Sequence, residues 1–362
     1  MSEAQMQVPL DRSWFYDNPE AYLSLPEFRR FEEISGLSLK DIMSDNREIL
    51  QVTQQKWEDQ SVISNEIRKQ HFGFAFPYIV YTHTFHDFAA TPNHNIELDK
   101  FLMGLDMCDS LRRRHIALSY GVIPYCLEKV HKATGRALMV KNLGSGVGLD
   151  VINATKGQNG RVVKVLNYDT NINSIELGRQ IVAYLENQTG ELRPGVIEYV
   201  EKSMTRSDEP ADVIIMIGVI CGLQDFAAQY LLTQSYNQLN KGGALIVSSS
   251  NHHMEKTDAL ASFLIQHMGA KEDSSKSWSL NFRTKEKMEK ILREAGFDQI
   301  EIYSDTDYPG KAAIPDEILY GVDALPAKAL GYPHQEKPLN LPPREILDRG
   351  IAYNWIAVAT KK

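Results

Sequence analysis

From residue 136 onward, short apolar runs alternate with stretches whose apolar positions recur about every 3.6 residues. The runs are residues 137–142, 162–168, 196–200, 213–217, 244–248, 299–303 and 354–360. Helical patterns fill 150–156, 173–187, 226–239, 257–268 and 284–295. Strands alternating with helices predict a mostly parallel sheet with helices on both faces.

Before Thr134-Gly135 the pattern is helical. Residues 26–34 and 38–43 carry helix-start residues and helical spacing. Residues 46–69 are polar but periodic, with Ile49, Val52, Trp57, Val62, Ile63 and Ile67 as the expected buried stripe. Residues 98–120 read as one further helix, and 124–132 lead into Gly135, a residue suited to ending a helix. Between them, HFGFAFPYIVYTHTFHDFAATPNH (71–94) is aromatic and broken by Gly73, Pro77 and Pro92, which predicts a lid or pocket wall. The expected organisation is a helical cap over 1–135 and an α/β domain over 136–362. That domain is interrupted at 309–349 by a proline-rich insertion, long enough to expect a cover or a dimer arm.

Composition narrows the function. The formal net charge of −8 disfavours broad binding of a phosphate backbone, so a nucleic-acid partner is not expected. Cys108, Cys126 and Cys221 have no paired spacing, and so predict neither a disulfide framework nor a zinc site. The opening MSEAQMQVPLDRSW has no basic start followed by an apolar run, and no apolar stretch is long enough to span a bilayer. A cytoplasmic protein without a membrane partner is the simplest expectation.

The most informative stretch is ALMVKNLGSGVGL (137–149), an apolar run leading into Gly144-Ser145-Gly146-Val147-Gly148 and then a helix. Glycines let the backbone turn sharply and approach a ligand closely, and the helix start offers unpaired N–H groups. The next strand ends at Asp169, where a Rossmann-like sheet grips ribose hydroxyls. Asp169 has a second reading, as the cap of the helix beginning near Asn173.

Taken in order, these segments resemble the class I S-adenosylmethionine (SAM)-dependent methyltransferases. KNLGSGVG is similar to that family's first motif and NYDTNINSIELGR to its second-strand acidic segment. ADVIIMIGVICGL resembles the fourth strand and loop, LNKGGALIVSSS the turn into the fifth strand, FRTKEKMEKILREAGFDQIEIY the helix and sixth strand, and YNWIAVATKK an antiparallel seventh. The resemblance implies a Rossmann-like α/β fold with a seven-stranded class I methyltransferase sheet and SAM as cofactor. By it, Gly144, Ser145, Gly146 and Gly148 face the methionine end of SAM, and Asp169 and Thr170 its ribose. Lys202 and Ser203 flank the adenine, while Ile217 and Gly218 lie beneath the methionine portion. Asn142 stands where the family usually has an acidic residue near the methionyl amine, which removes a charge from that position.

Methyl transfer from a sulfonium needs alignment more than acid–base help. Candidate bases are His252 and His253, just past the fifth strand, with a solvated loop as their alternative reading. Tyr78 and Tyr81, in the aromatic run, are candidates to cover the sulfonium or hold its carboxylate, or to pack the cap on the sheet. His83, His86 and His94 match no standard ligand spacing, so no metal is expected. Arg112-Arg113-Arg114 suits an acidic group but reads more simply as a solvated helix face. Cys221 reads as a pocket-wall residue. Three functions follow: a methyltransferase acting on a small-molecule acceptor, as in secondary metabolism; a cyclase resembling azetidine-2-carboxylate synthases, releasing methylthioadenosine; and a SAM-binding protein without turnover. A homodimer is compatible with each.

Overall fold

The computed structural model describes residues 25–44, 46–65, 93–158, 160–207, 209–253, 258–268, 281–331 and 352–362. Its sheet follows the apolar runs: β1 (Leu138–Leu143), β2 (Val162–Asp169), β3 (Ile197–Glu201), β4 (Ala211–Met216), β5 (Leu239–Ser250), β6 (Gln299–Ser304) and β7 (Asn354–Thr360). They lie in the order β3-β2-β1-β4-β5-β7-β6. The pairs from β3 to β5 are parallel, whereas β7 runs antiparallel to both β5 and β6. Every residue of β4 is buried. Val213 and Ile215 enter one apolar cluster and Ile214 and Met216 the other, as a strand covered on both faces requires. β5 begins earlier than its apolar run, because Leu239 already pairs with Ala211 of β4; there Lys361 Nζ donates to the carbonyls of Tyr236 and Leu239.

The N-terminal helices are α1 (Pro26–Ser35), α2 (Leu39–Ile42), α3 (Arg47–Gln60) and α4 (Ile96–Met103). In α3 the expected stripe is half right. Trp57 is buried, but Ile49 and Val52 are exposed, and Thr53 and Gln54 face inward instead. Val62 and Ile63, just beyond it, are buried; Ile67 lies outside the described residues. The buried Asp99 carboxylate ties these elements together, accepting from the Ser61 hydroxyl (2.6 Å) and the Val62 N–H (3.0 Å), with His94 Nε2 at 2.9 Å.

The single helix expected over 98–120 is instead two helices that break at Gly104-Leu105, α4 and α5 (Asp106–Ile116). α5 runs on through a widened π turn, Ala117–Val122, into α6 (Ile123–Thr134). Pro124 explains the widening, because it has no N–H for the carbonyl one turn back. Ile123 N donates to Leu118 O across the wider ring. Gly121, in this turn, lies so close to the segment after β6 that a Cβ would stand 2.6 Å from Tyr308 Cδ2. α6 ends as expected, with Gly135 left-handed and its N–H donated to His131 O.

Around the sheet lie α7 (Leu149–Thr155), α8 (Ile172–Tyr184), α9 (Asp225–Gln238), α10 (Ala259–Met268) and α11 (Lys285–Glu294). One face carries α9 and α11, whose Leu232, Ile291 and Leu292 share a cluster with Ile214 and Val247. The other face carries α6, α7 and α8, and its cluster continues outward to Phe28 and Phe31 of α1. In the insertion, the described part forms α12 (Asp316–Leu319) and α13 (Leu325–Leu330) and packs against α5 and α8.

Candidate active-site crevice

Strand order reverses between β1 and β4, and in open α/β sheets the crevice at such a point, beyond the carboxyl ends of the strands, is where ligands bind. The glycine loop enters it from β1. Gly144, Gly146 and Gly148 have φ of +64°, +53° and +76°, conformations that suit glycine. A Cβ on Gly144 would stand 2.8 Å from Val219 Cγ2 and 3.3 Å from Met204 Cε. The loop therefore touches the segments after β4 and β3 at once.

Asp169 closes this loop. Its Oδ2 accepts the Gly146 N–H at 2.7 Å and its Oδ1 the Asn171 N–H at 2.8 Å. The alternative reading of Asp169 as a helix cap is wrong: Asn171 caps α8, accepting from Asn173 N and Ser174 N. Ser145 N donates to Tyr168 O, and Lys202 N to Asp169 O, so both flanking segments are fixed to the tip of β2. Ser203 caps the short turn Met204–Arg206, and Thr170 is exposed.

Beneath the loop runs a row that motif reading did not find. Asn142, Asn167 and Tyr199 occupy matched register positions on β1, β2 and β3. Asn142 Nδ2 donates to Asn167 Oδ1 (2.9 Å), and the Tyr199 hydroxyl donates to Val147 O (2.6 Å) inside the loop. Asn142, singled out as a ligand contact, thus also supports the loop from below. The Tyr199 ring fits only because Gly178 of α8 has no side chain, since a Cβ there would lie 2.2 Å from its hydroxyl. Register arithmetic from β1 was the signal available in the sequence.

On the β4 side, Gly218 is exposed and donates its N–H to Ser248 Oγ at 3.0 Å, while Ile217 is half-buried. The following loop is pinned by Arg283, whose Nη1 donates to Ile220 O (2.8 Å) and Nη2 to Leu223 O (2.7 Å). Cys221 is buried as expected of a wall residue, and burial pushes its thiol up while Arg114 and Arg283 draw it back. Nothing in the sequence marked Arg283 for this role.

His252 and His253 lie beyond the carboxyl end of β5, their rings stacked with centroids 4.5 Å apart. Tyr78, Tyr81, His83 and His86 lie outside the described residues. Among the described residues there is no cluster of potential metal ligands, and no helix is long and apolar enough to cross a membrane.

The arginine run contradicts the expected solvated face. Arg112 is 1 % exposed and donates to Asp109 Oδ1, Leu319 O and Gly321 O. Arg113 pairs with Asp109 (2.9 Å) and approaches Asp305 (3.9 Å), and Arg114 is also buried. Next in sequence, His115 stands between Asp150 Oδ1 (2.5 Å) and Asp323 Oδ2 (2.9 Å). Burial alone would lower its pKa, but Asp150 and Asp323 together outweigh that and raise it to about 9. A cavity of about 320 Å³ adjoins this cluster, lined by Tyr120, Lys156, Glu191 and Asp323 among others.

No family model matches the sequence. No curated protein matches it either. Among solved structures, a possible exported protein from Bordetella parapertussis is similar over 95 % of this chain and 98 % of its own, at 13 % identity and a TM-score of 0.52. Human N-acetylserotonin methyltransferase in complex with SAM aligns over 70 % of this chain at 14 % identity and a TM-score of 0.40, and the match spans only 56 % of that enzyme. Magnesium protoporphyrin IX methyltransferase from Synechocystis with bound SAM aligns over 84 % of this chain and 97 % of its own, at 11 % identity and a TM-score of 0.43. With five strands in parallel order and an antiparallel β7 inserted between β5 and β6, the chain has the class I methyltransferase fold.

Proposed function

We propose that this protein binds SAM in the β1–β4 crevice and directs its methyl group to a small-molecule acceptor. The observation that carries the reading is the glycine loop held shut by Asp169 at the strand-order reversal. The residues present suit the ligand. Each Asp169 oxygen accepts one backbone N–H and keeps acceptor capacity for a ribose hydroxyl. Met204 and Val219 offer apolar walls beside the loop, and the glycines leave backbone open to close approach.

Bound SAM supplies a carbon already activated by its positive sulfur. What the chain must do is hold and orient, and a rigid loop on matched strands is suited to that. The net charge of −8 favours a small acceptor over a polynucleotide.

The test is incubation of the purified protein with SAM, alone and with a metabolite extract, followed by mass spectrometry of the nucleoside product. S-adenosylhomocysteine formed only with the extract is expected. Methylthioadenosine formed from SAM alone would replace methyl transfer by cyclisation of the aminobutyrate arm, and binding without turnover would leave a scaffold. Asp169→Ala is expected to weaken SAM binding about tenfold or more, through lost charge-assisted hydrogen bonds. Unchanged affinity would remove Asp169 from the ribose.

A further inference from the structure

Two members of the buried arginine run are absorbed by the fold: Arg112 by Asp109 and the carbonyls of Leu319 and Gly321, and Arg113 by Asp109. Arg114 points elsewhere. Its Nη1 donates to Asn354 Oδ1 (3.4 Å) at the start of β7. Its Nη2 and Nη1 stand 3.7 and 4.0 Å from the point where a Cβ would project from Gly218, and among the described residues, the two chain neighbours aside, nothing else lies within 4 Å of that point. Gly218 itself is exposed, whereas Arg114 is only 6 % exposed. A buried guanidinium therefore walls an open space at the carboxyl end of β4, one residue from Val219, which packs against the glycine loop.

A guanidinium stays charged at any physiological pH and presents its donors as a planar fork that matches a carboxylate. Held in low dielectric, such a fork attracts an anion far more strongly than it would in water. Its charge reaches the neighbouring wall, because it is among the groups that draw the Cys221 thiol back down against burial.

We propose that Arg114 binds the carboxylate of the amino-acid arm of bound SAM. The proposal rests on the SAM reading above, which sets the methionine end of the ligand beside Gly218. It gives the N-terminal helical region a direct role in cofactor selection, since α5 delivers the fork to the carboxyl end of β4. The residue then distinguishes nucleosides that carry the arm from those that lack it.

Isothermal titration of S-adenosylhomocysteine, its decarboxylated analogue and methylthioadenosine tests this. In the unaltered protein the decarboxylated analogue, which keeps the amine, is expected to bind about tenfold more weakly than S-adenosylhomocysteine. In Arg114→Lys and Arg114→Met, S-adenosylhomocysteine is expected to weaken by about tenfold while methylthioadenosine stays within about twofold. Equal affinity for the first two ligands in the unaltered protein would overturn the proposal. So would parallel losses for S-adenosylhomocysteine and methylthioadenosine in a folded variant. If Arg114→Met does not fold, the analogue comparison and the lysine variant decide. If no nucleoside binds the unaltered protein, the SAM reading fails, and this inference with it.

Discussion

The row Asn142–Asn167–Tyr199 is a buried polar system, and in the cluster His115–Asp150–Asp323 a buried imidazole stands between two half-buried carboxylates, one of them on the first turn of α7. The two systems differ in charge. The row is neutral, running from amide to amide and from phenol to carbonyl, and burial pushes the Tyr199 phenol further up, away from any physiological titration. The cluster is ionic: a protonated imidazole between two carboxylates, one from α7 and one from the insertion. The glycine loop is thus supported by groups indifferent to pH, whereas the insertion is fastened by a group that is not. Neutral hydrogen bonds give a fixed floor, and an ion cluster gives an attachment whose strength depends on protonation.

The hardest way to break this contrast is to remove the cation. His115→Met leaves Asp150 and Asp323 facing each other without it, and is expected to cost about 3–5 kcal/mol, read from denaturant unfolding. A cost below about 1 kcal/mol would mean that the cluster is not ionic.

Next in size is a pH effect in the unaltered protein. The folded pKa of His115 lies above its unfolded value, so its contribution is fully present below about pH 6.5 and lost as pH rises through about 9. Stability is expected to fall by about 3 kcal/mol across that window, and to fall less in His115→Gln. The neighbouring cavity gives water a route to the imidazole. Parallel pH curves for the two proteins would remove His115 as the cause.

The smallest effect belongs to the neutral row. Tyr199→Phe removes one hydrogen bond to Val147 O and is expected to cost about 1 kcal/mol, with little change between pH 6 and 9. A pH-dependent loss there would blur the comparison. The same variant sharpens it if the affinity for S-adenosylhomocysteine drops along with loop order.

Much of this architecture is legible in the sequence. Seven apolar runs mark the seven strands, most plainly at β4, which is buried on both faces and must be apolar throughout. The glycine loop and Asp169 are legible because their chemistry is local to a few residues. What is not legible depends on distant partners. Arg112–Arg114 has the composition of a solvated face, and partners, among them Asp109, Asp305, Asn354 and the insertion carbonyls, make its burial possible. Ile49 and Val52 fit the helical period, yet the helix turns Thr53, Gln54 and Trp57 inward and leaves these two exposed. Asn171 caps α8 because the helix begins at Ile172, and Asp169, still in β2, is engaged with Gly146 instead. That engagement crosses between two strands, so no local motif records it.

The widened turn at Ala117–Val122 has a mechanical consequence. One wide turn accommodates about one extra residue, an angular offset of about 100° between the helix before it and the helix after it. The offset acts as an indexing joint. Upstream of it, α5 aims Arg114 at Gly218 and His115 at Asp150. Downstream, α6 seats Cys126, Leu127 and Val130 in the buried core. Excising a single residue from the turn would leave both halves helical but rotate one against the other, and the guanidinium would leave the crevice without any change to its own side chain.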